Sequence, residues 1–173
     1  LGHLLRRGGN GSAKLAAILS DRDPLRGQGI DLALRMKALD DPKAYNADPA
    51  AVARIRQEAR RLKRHEAGDP LPLGAQAALA YPDRIGLRRK GDTPRYLLSG
   101  GKGAVMPNDY GLSAARLIVA TDLDGNPREA RIRQAITISE GEIRGLFAEQ
   151  IGWHDLCFWD KRDRRVVARR QER

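Results

Sequence analysis

A glycine-rich segment at residues 100–103, Gly-Gly-Lys-Gly, is the first place to look for chemistry. Loops of this type can bind phosphate groups when they match a fixed pattern: a glycine, any four residues, Gly-Lys, and then Ser or Thr. Here Gly103 follows Lys102, and Tyr96 occupies the position of that earlier glycine. The segment therefore fails the phosphate-loop pattern, and it is predicted to be a tight turn between strands that needs a glycine at positive φ.

The cysteine and the histidines give no catalytic or metal site either. Cys157 lies in the apolar segment 153–159, which predicts a buried, unreactive thiol, and a single cysteine excludes an intramolecular disulfide. The three histidines are too far apart in the sequence for a short metal-ligand spacing: His3, His65 and His154. The sequence therefore predicts no catalytic residue and no metal site.

The net charge is the clearest functional signal. The 173 residues include 32 Lys and Arg against 22 Asp and Glu, a formal charge of +10, while 41% hydrophobic residues indicate a folded chain rather than a disordered tail. Residues 1–68 hold 14 Lys and Arg against 8 Asp and Glu, and residues 69–173 hold the other 18 against 14, so both parts of the chain are basic. A surface of this kind attracts polyanions, since cations that meet phosphates release condensed counterions.

Six basic residues are the candidate phosphate contacts. Four of them cluster near the first predicted strand and the glycine-rich turn, and two alternate on a later strand: Arg84, Arg88, Arg89, Lys102, Arg131 and Arg133. The competing interpretation is that they are ordinary solvated charges. Stacking platforms for bases would be Tyr81, Tyr96 and Tyr110, although all three also suit a core.

No apolar run approaches the roughly twenty residues that a bilayer span needs, and no signal-peptide pattern opens the chain. We therefore expect a cytoplasmic protein without a membrane partner. Because the chain begins at Leu1 and ends within a strand-like run, we also expect it to be a fragment of a longer protein.

The first part of the chain has helical periodicity. Ser12 is placed to cap a helix at residues 13–19, and Asp48 followed by Pro49 is a strong helix start. Between them, Leu32, Met36 and Leu39 recur at helical spacing and predict an apolar stripe. Arg35 and Lys37 fall off that stripe.

After a Gly-Asp-Pro stretch at residues 68–70 the pattern changes to short extended runs. A short helix at 75–80 precedes strands predicted at 84–89, 95–98, 104–106, 116–123, 129–138, 153–159 and 165–170, with one helix at 139–147. The sequence thus predicts an α+β chain, with helices in residues 1–69 and a small antiparallel barrel or strongly bent sheet in residues 70–173.

Several segments resemble the region that follows the motor domains in bacterial HrpB-type helicases, a group within the DEAH/RHA ATP-dependent RNA helicases. They occur in order at residues 19–27, 31–35, 80–89, 95–99, 101–104 and 129–133. The most specific are Ala-Tyr-Pro-Asp-Arg-Ile at 80–85 and Arg-Tyr-Leu-Leu-Ser at 95–99. Gly100 departs from the pattern, which usually has Asn there.

The resemblance implies a helical ratchet-like domain followed by an OB-fold-like domain, which in such helicases form part of a single-strand channel. The Walker A motif, the DEAH-type box and the arginine finger of the motor are absent from this sequence. We therefore expect no ATP hydrolysis by this chain, since ATP and magnesium would bind the motor domains of a longer parent helicase. The expected partners are single-stranded RNA or DNA and those motor domains. The alternative is a scaffolding module that docks the motor or another protein and contacts nucleic acid little.

Overall fold

The computed structural model describes residues 1–108, 111–160 and 165–172, so Tyr110 lies outside the described residues. The helices are α1 Gly2–Arg7, α2 Ser12–Ser20, α3 Leu32–Asp40, α4 Pro49–Leu62, α5 Leu73–Ala80 and α6 Glu140–Phe147, with 3-10 turns at Lys63–His65 and Pro82–Arg84. The strands are β1 Ile85–Arg88, β2 Arg95–Leu98, β3 Gly103–Val105, β4 Leu117–Leu123, β5 Ala130–Thr137, β6 Trp153–Asp160 and β7 Arg165–Glu172. None of the described helices is long and apolar enough to span a membrane.

The first five strands close into a barrel in the order β1-β2-β3-β5-β4. The expected α+β class and the barrel are confirmed, with one refinement: β3 and β5 pair in parallel, so the barrel is mixed rather than wholly antiparallel. The turn at residues 100–103 has Gly101 at φ +91°, as its glycines predict. Tyr96 is fully buried in the barrel core, and its hydroxyl donates to the Ala115 carbonyl at 2.7 Å.

The helices pack through the faces that periodicity predicts. α4 begins where Asp48 accepts hydrogen bonds from the Ala50 and Ala51 amides, and its buried face contains Val52 and Ile55. This face packs against α2. The N-terminus of α2 differs from the prediction, because the Ser12 hydroxyl is buried within the helix and does not cap it. The Glu66 carboxylate caps α2 from a distant loop, accepting from the Gly11 and Ala13 amides at 3.2 and 2.9 Å.

Arg35 is an exception to this pattern. Its side chain is fully buried on α3, although it lies off the apolar stripe of that helix. The reason is chemical: the loop between α2 and α3 encloses the guanidinium group with a carboxylate and backbone carbonyls, which replace water as hydrogen-bond acceptors.

Contacts divide the chain into two compact units, residues 1–139 and residues 140–173. The first unit contains α1–α5 together with the barrel, so the division after residue 69 that the sequence suggests stays a prediction. The second unit contains α6 and the antiparallel β6–β7 hairpin, and within it Arg144 of α6 pairs with Glu172 at 2.7 Å. Cys157 is exposed on β6 of this two-stranded sheet, which corrects the expectation of a buried thiol.

Gly74 tests the packing of α5 on the barrel. A Cβ atom at this position would overlap the Thr137 carbonyl oxygen at the end of β5. We expect Gly74→Ala to lower the free energy of unfolding by about 1–3 kcal/mol through this overlap. The same change in an open helix interior stabilises by up to about 1 kcal/mol, so the direction of the effect is diagnostic.

Denaturant unfolding measures this effect, and Gly103→Ala is the matched control because nothing lies within 4 Å of its added Cβ. Unfolding of Gly74→Ala at the same or a higher midpoint than wild type would contradict the packing described here.

Candidate functional site

A groove of about 750 Å³ lies between the α2–α3 loop, residues 21–31, and the barrel. The loop contributes Arg22 and Arg26 to its lining, and β5 contributes Arg131 and Arg133. All four side chains are exposed. The fold thus brings together two pairs of arginines that are about a hundred residues apart in the sequence.

The alternation of β5 directs its two arginines to the same side of the strand. Arg131 and Arg133 are exposed, while Ile132 between them is fully buried in the barrel core. The turn before β5 is fixed by the Asp124 carboxylate, which accepts from the Arg131 and Asn126 amides at 2.8 and 3.2 Å. These two hydrogen bonds, together with the nearby charges of Arg133 and Lys102, lower the pKa of the Asp124 carboxyl.

The α2–α3 loop is fastened to the same strand. Ile30 belongs to the buried cluster of the barrel, and its carbonyl accepts from the Ala135 amide of β5 at 2.9 Å. Asp31 forms a parallel bridge with Ala135 and then caps α3 by accepting from the Ala33 amide. The two walls of the groove are therefore parts of one packed structure.

Internal ion pairs remove most of the negative charge from the groove. Asp21 pairs with Arg54 at 3.2 Å, and the hydrogen bond from this arginine lowers the pKa of the Asp21 carboxyl. Asp23 pairs with the buried Arg35 at 2.9 Å. Among the lining residues this leaves Asp122 as the remaining carboxylate against four arginines, so the groove presents net positive charge.

The other four sequence candidates lie elsewhere on the barrel, outside the lining of this groove. Arg84 lies over the Tyr81 ring at 4.5 Å from its centroid, a cation–π contact. Arg88 donates to three backbone carbonyls, those of Ser113, Arg89 and Gly91. Arg89 is exposed, and Lys102 is partly buried near the Asp124 turn. Arg84 and Arg88 thus already have partners within the protein.

Sequence reasoning missed Arg22 and Arg26. Both lie in the segment 19–27 that carries the helicase resemblance, and that was the signal that could have selected them. Their proximity to β5 depends on tertiary contacts that no local spacing shows. In the part of the chain that the structure describes, no group of three or more His, Cys, Asp or Glu residues could hold a metal ion.

Comparison with known proteins identifies structural similarity to helicase structures. No protein-family model and no curated protein matches the chain. A crystal structure of the Escherichia coli DExH-box NTPase HrpB matches with a TM-score of 0.67 and 28% identity over 93% of this chain. A second structure, of the E. coli DEAH/RHA helicase HrpB, matches with a TM-score of 0.60 and 24% identity over 92%. The chain spans 19% of each matched protein. The similarity that the sequence motifs indicate is therefore confirmed.

Arg88 offers a test of the distinction between structural and groove arginines. We expect Arg88→Ala to lower the free energy of unfolding by about 1–2 kcal/mol, because several carbonyl hydrogen bonds lose their donor. Arg133→Ala, which removes an exposed groove arginine, is the matched control and should unfold within about 0.5 kcal/mol of wild type. Equal stability of the two variants in denaturant unfolding would show that the carbonyl contacts of Arg88 do not stabilise the barrel.

The Asp124 turn predicts a pH dependence. A carboxyl whose pKa is lower in the folded than in the unfolded state stabilises the fold fully above its unfolded value, here 3.8, and loses this contribution as the pH falls through the folded value. Unfolding measured from pH 6 to pH 2 should therefore show a smaller loss of stability for Asp124→Asn than for wild type. Asp92→Asn, which removes an exposed carboxylate from another turn, is the control; identical profiles for Asp124→Asn and wild type would refute the prediction.

Proposed function

We propose that this chain is a nucleic-acid-binding module of a DEAH/RHA-type helicase, and that the groove between the α2–α3 loop and β5 binds a single strand. The proposal depends on one observation: four arginines converge on one groove, and two of its three carboxylates are paired within the protein. The arginines are Arg22, Arg26, Arg131 and Arg133, and Asp122 is the carboxylate without such a pair among those described. The similarity to HrpB supports a helicase-associated role.

The chemistry of the lining favours phosphates over bases. Guanidinium groups bind phosphate oxygens through paired hydrogen bonds and carry a permanent charge. The described lining contains no aromatic side chain, so bases have no stacking platform within it. Binding through the backbone alone depends on charge and gives little sequence preference.

The module would serve as one wall of a single-strand channel, with ATP and magnesium bound by motor domains elsewhere in a longer chain. A second candidate is the scaffolding role, in which the module docks those domains or another protein. Leu87 and Leu97 lie opposite each other on β1 and β2 and are 46% and 44% accessible, and this exposed apolar pair favours a protein contact of that kind. The binding experiment below separates the two roles.

The test is a salt titration of the binding of a fluorescent single-stranded oligonucleotide, in RNA and DNA form. Four phosphate contacts predict a slope of log affinity against log salt of about −2.8, since each contact on a single strand contributes about 0.7. Reversing two charges with Arg131→Glu and Arg133→Glu should weaken binding about tenfold or more at low salt and reduce the slope by at least about 1.4.

The matched control reverses the charge at Arg60 and Arg64, which are exposed and lie outside the groove. It changes the net charge by the same amount, so an equal loss of affinity in both double variants would show attraction to the whole surface rather than to the groove. Absence of binding at low salt, or binding that does not vary with salt, would refute the nucleic-acid role and leave docking as the function.

A further inference from the structure

The α2–α3 loop has to present Arg22 and Arg26 without regular secondary structure of its own. Two of its residues, Gly27 and Gly29, have φ values of +77° and +68°, which glycine adopts readily and other residues rarely do. A glycine-containing loop of this length samples many conformations unless tertiary contacts restrict it. Whatever restricts the loop therefore determines where its two groove arginines lie.

Arg35 makes the densest set of polar contacts to this loop. Its Nε and Nη2 atoms donate to the two carboxylate oxygens of Asp23 at 3.1 and 2.9 Å, a two-point contact that only arginine can form. The three remaining N–H groups share four backbone carbonyls of the same loop as acceptors at 2.8–3.4 Å: Leu25, Gln28, Gly29 and Asp31. One buried side chain thus contacts the loop at five residues between Asp23 and Asp31.

Arg35 itself does not line the groove. Its acceptors are the backbone and the one carboxylate that sits between Arg22 and Arg26 in the sequence. The far end of the loop is held separately by Ile30 in the barrel core and by the Ile30 carbonyl on β5. The segment that carries Arg22 and Arg26 has a second anchor, because Pro24 and Leu25 are buried and the Pro24 carbonyl accepts from the Asp48 amide at 3.0 Å. Loss of the Arg35 contacts would therefore loosen this segment, while β5, with Arg131 and Arg133, stays in the barrel.

We propose that Arg35 is a positioning residue for single-strand binding, which holds Arg22 and Arg26 at the groove before the ligand arrives. This inference rests on the proposed function of the groove. A loop that is already ordered does not lose conformational entropy on binding, so preorganisation raises affinity without a direct contact. Arg35 thereby enables Arg22 and Arg26 to contact phosphates.

The test is a double-mutant cycle with Arg35→Lys, which keeps the charge but lacks the planar fork. We expect Arg35→Lys to weaken binding of the single-stranded oligonucleotide about three- to tenfold and to reduce the salt slope by about 1.4, the contribution of two phosphates. In that background, Arg22→Ala with Arg26→Ala should have little further effect. Arg131→Ala with Arg133→Ala, the matched pair on β5, should keep its full effect.

A merely structural role predicts a different pattern. General loosening of the fold by Arg35→Lys would reduce the effects of both arginine pairs alike, and that result would overturn the proposal. An unchanged affinity and slope in Arg35→Lys would overturn it as well. Amide hydrogen exchange gives a readout independent of ligand: exchange should accelerate at residues 22–29 and not in the barrel strands, and no acceleration in the loop would also refute it.

Asp23→Asn is the second variant, in case Arg35→Lys does not fold, and it leaves Arg35 and its backbone acceptors in place. The amide NH₂ of asparagine would face guanidinium N–H donors, so the two-point contact is lost although the side-chain size is kept. The substitution also removes a negative charge from the groove lining, which on charge alone would tighten binding. We expect Asp23→Asn to bind the oligonucleotide more weakly instead, and the Arg22 and Arg26 substitutions to have a smaller effect in that background. Tighter binding by Asp23→Asn would refute the positioning role.

The failures of the two proposals can be told apart. If wild type shows no salt-dependent binding, the proposed function is wrong and the positioning role falls with it. If wild type binds as expected and the arginine pair of the loop contributes equally in the wild-type and Arg35→Lys backgrounds, only the positioning role is wrong.

Discussion

The buried guanidinium group of Arg35 is the interaction on which the arrangement of this chain depends. A charge removed from water is tolerated only where paired charges and hydrogen bonds replace the solvent. Asp23 and four loop carbonyls supply that replacement, so the charge and the loop conformation require each other. Because Arg35 stands on α3, its contacts also tie the loop to the helical part of the chain, while Ile30 of the same loop inserts into the barrel core.

Strand β5 carries the second half of this arrangement. It pairs with β4 on one side and in parallel with β3 on the other, which closes the barrel, and its Ala135 amide receives the loop through the Ile30 carbonyl. The alternation of a strand then separates two tasks along one segment: Ile132 fills the core, and Arg131 and Arg133 face outward into the groove. The groove is therefore a consequence of how the barrel closes.

Much of the fold could be predicted from the sequence, because helix caps, turns and strand alternation depend on residues that are neighbours in the sequence. Caps such as Asp48 mark helix starts, and glycine turns separate strands of alternating burial, so the order of elements and the exposure of Arg131 and Arg133 followed from spacing alone. The burial of Arg35 could not be predicted, since its acceptors are mostly backbone carbonyls that no residue type reveals. The parallel β3–β5 pair and the proximity of Arg22 to β5 depend on contacts between segments that are distant in the sequence, which periodicity does not show.

The arginines of this chain show why a net charge of +10 describes a binding surface poorly. Arg35 and Arg54 pair with Asp23 and Asp21 at the groove, and Arg88 donates to the carbonyls of Ser113, Arg89 and Gly91. A guanidinium group with such partners has fewer N–H groups left for phosphate oxygens, and where its partner is a carboxylate its charge is already compensated, so it adds little to the attraction of a polyanion. What makes the groove attractive to a polyanion is the pairing of its carboxylates as much as the presence of its arginines. The positive charge of the groove is thus a local difference that the fold creates, and composition alone could not locate it.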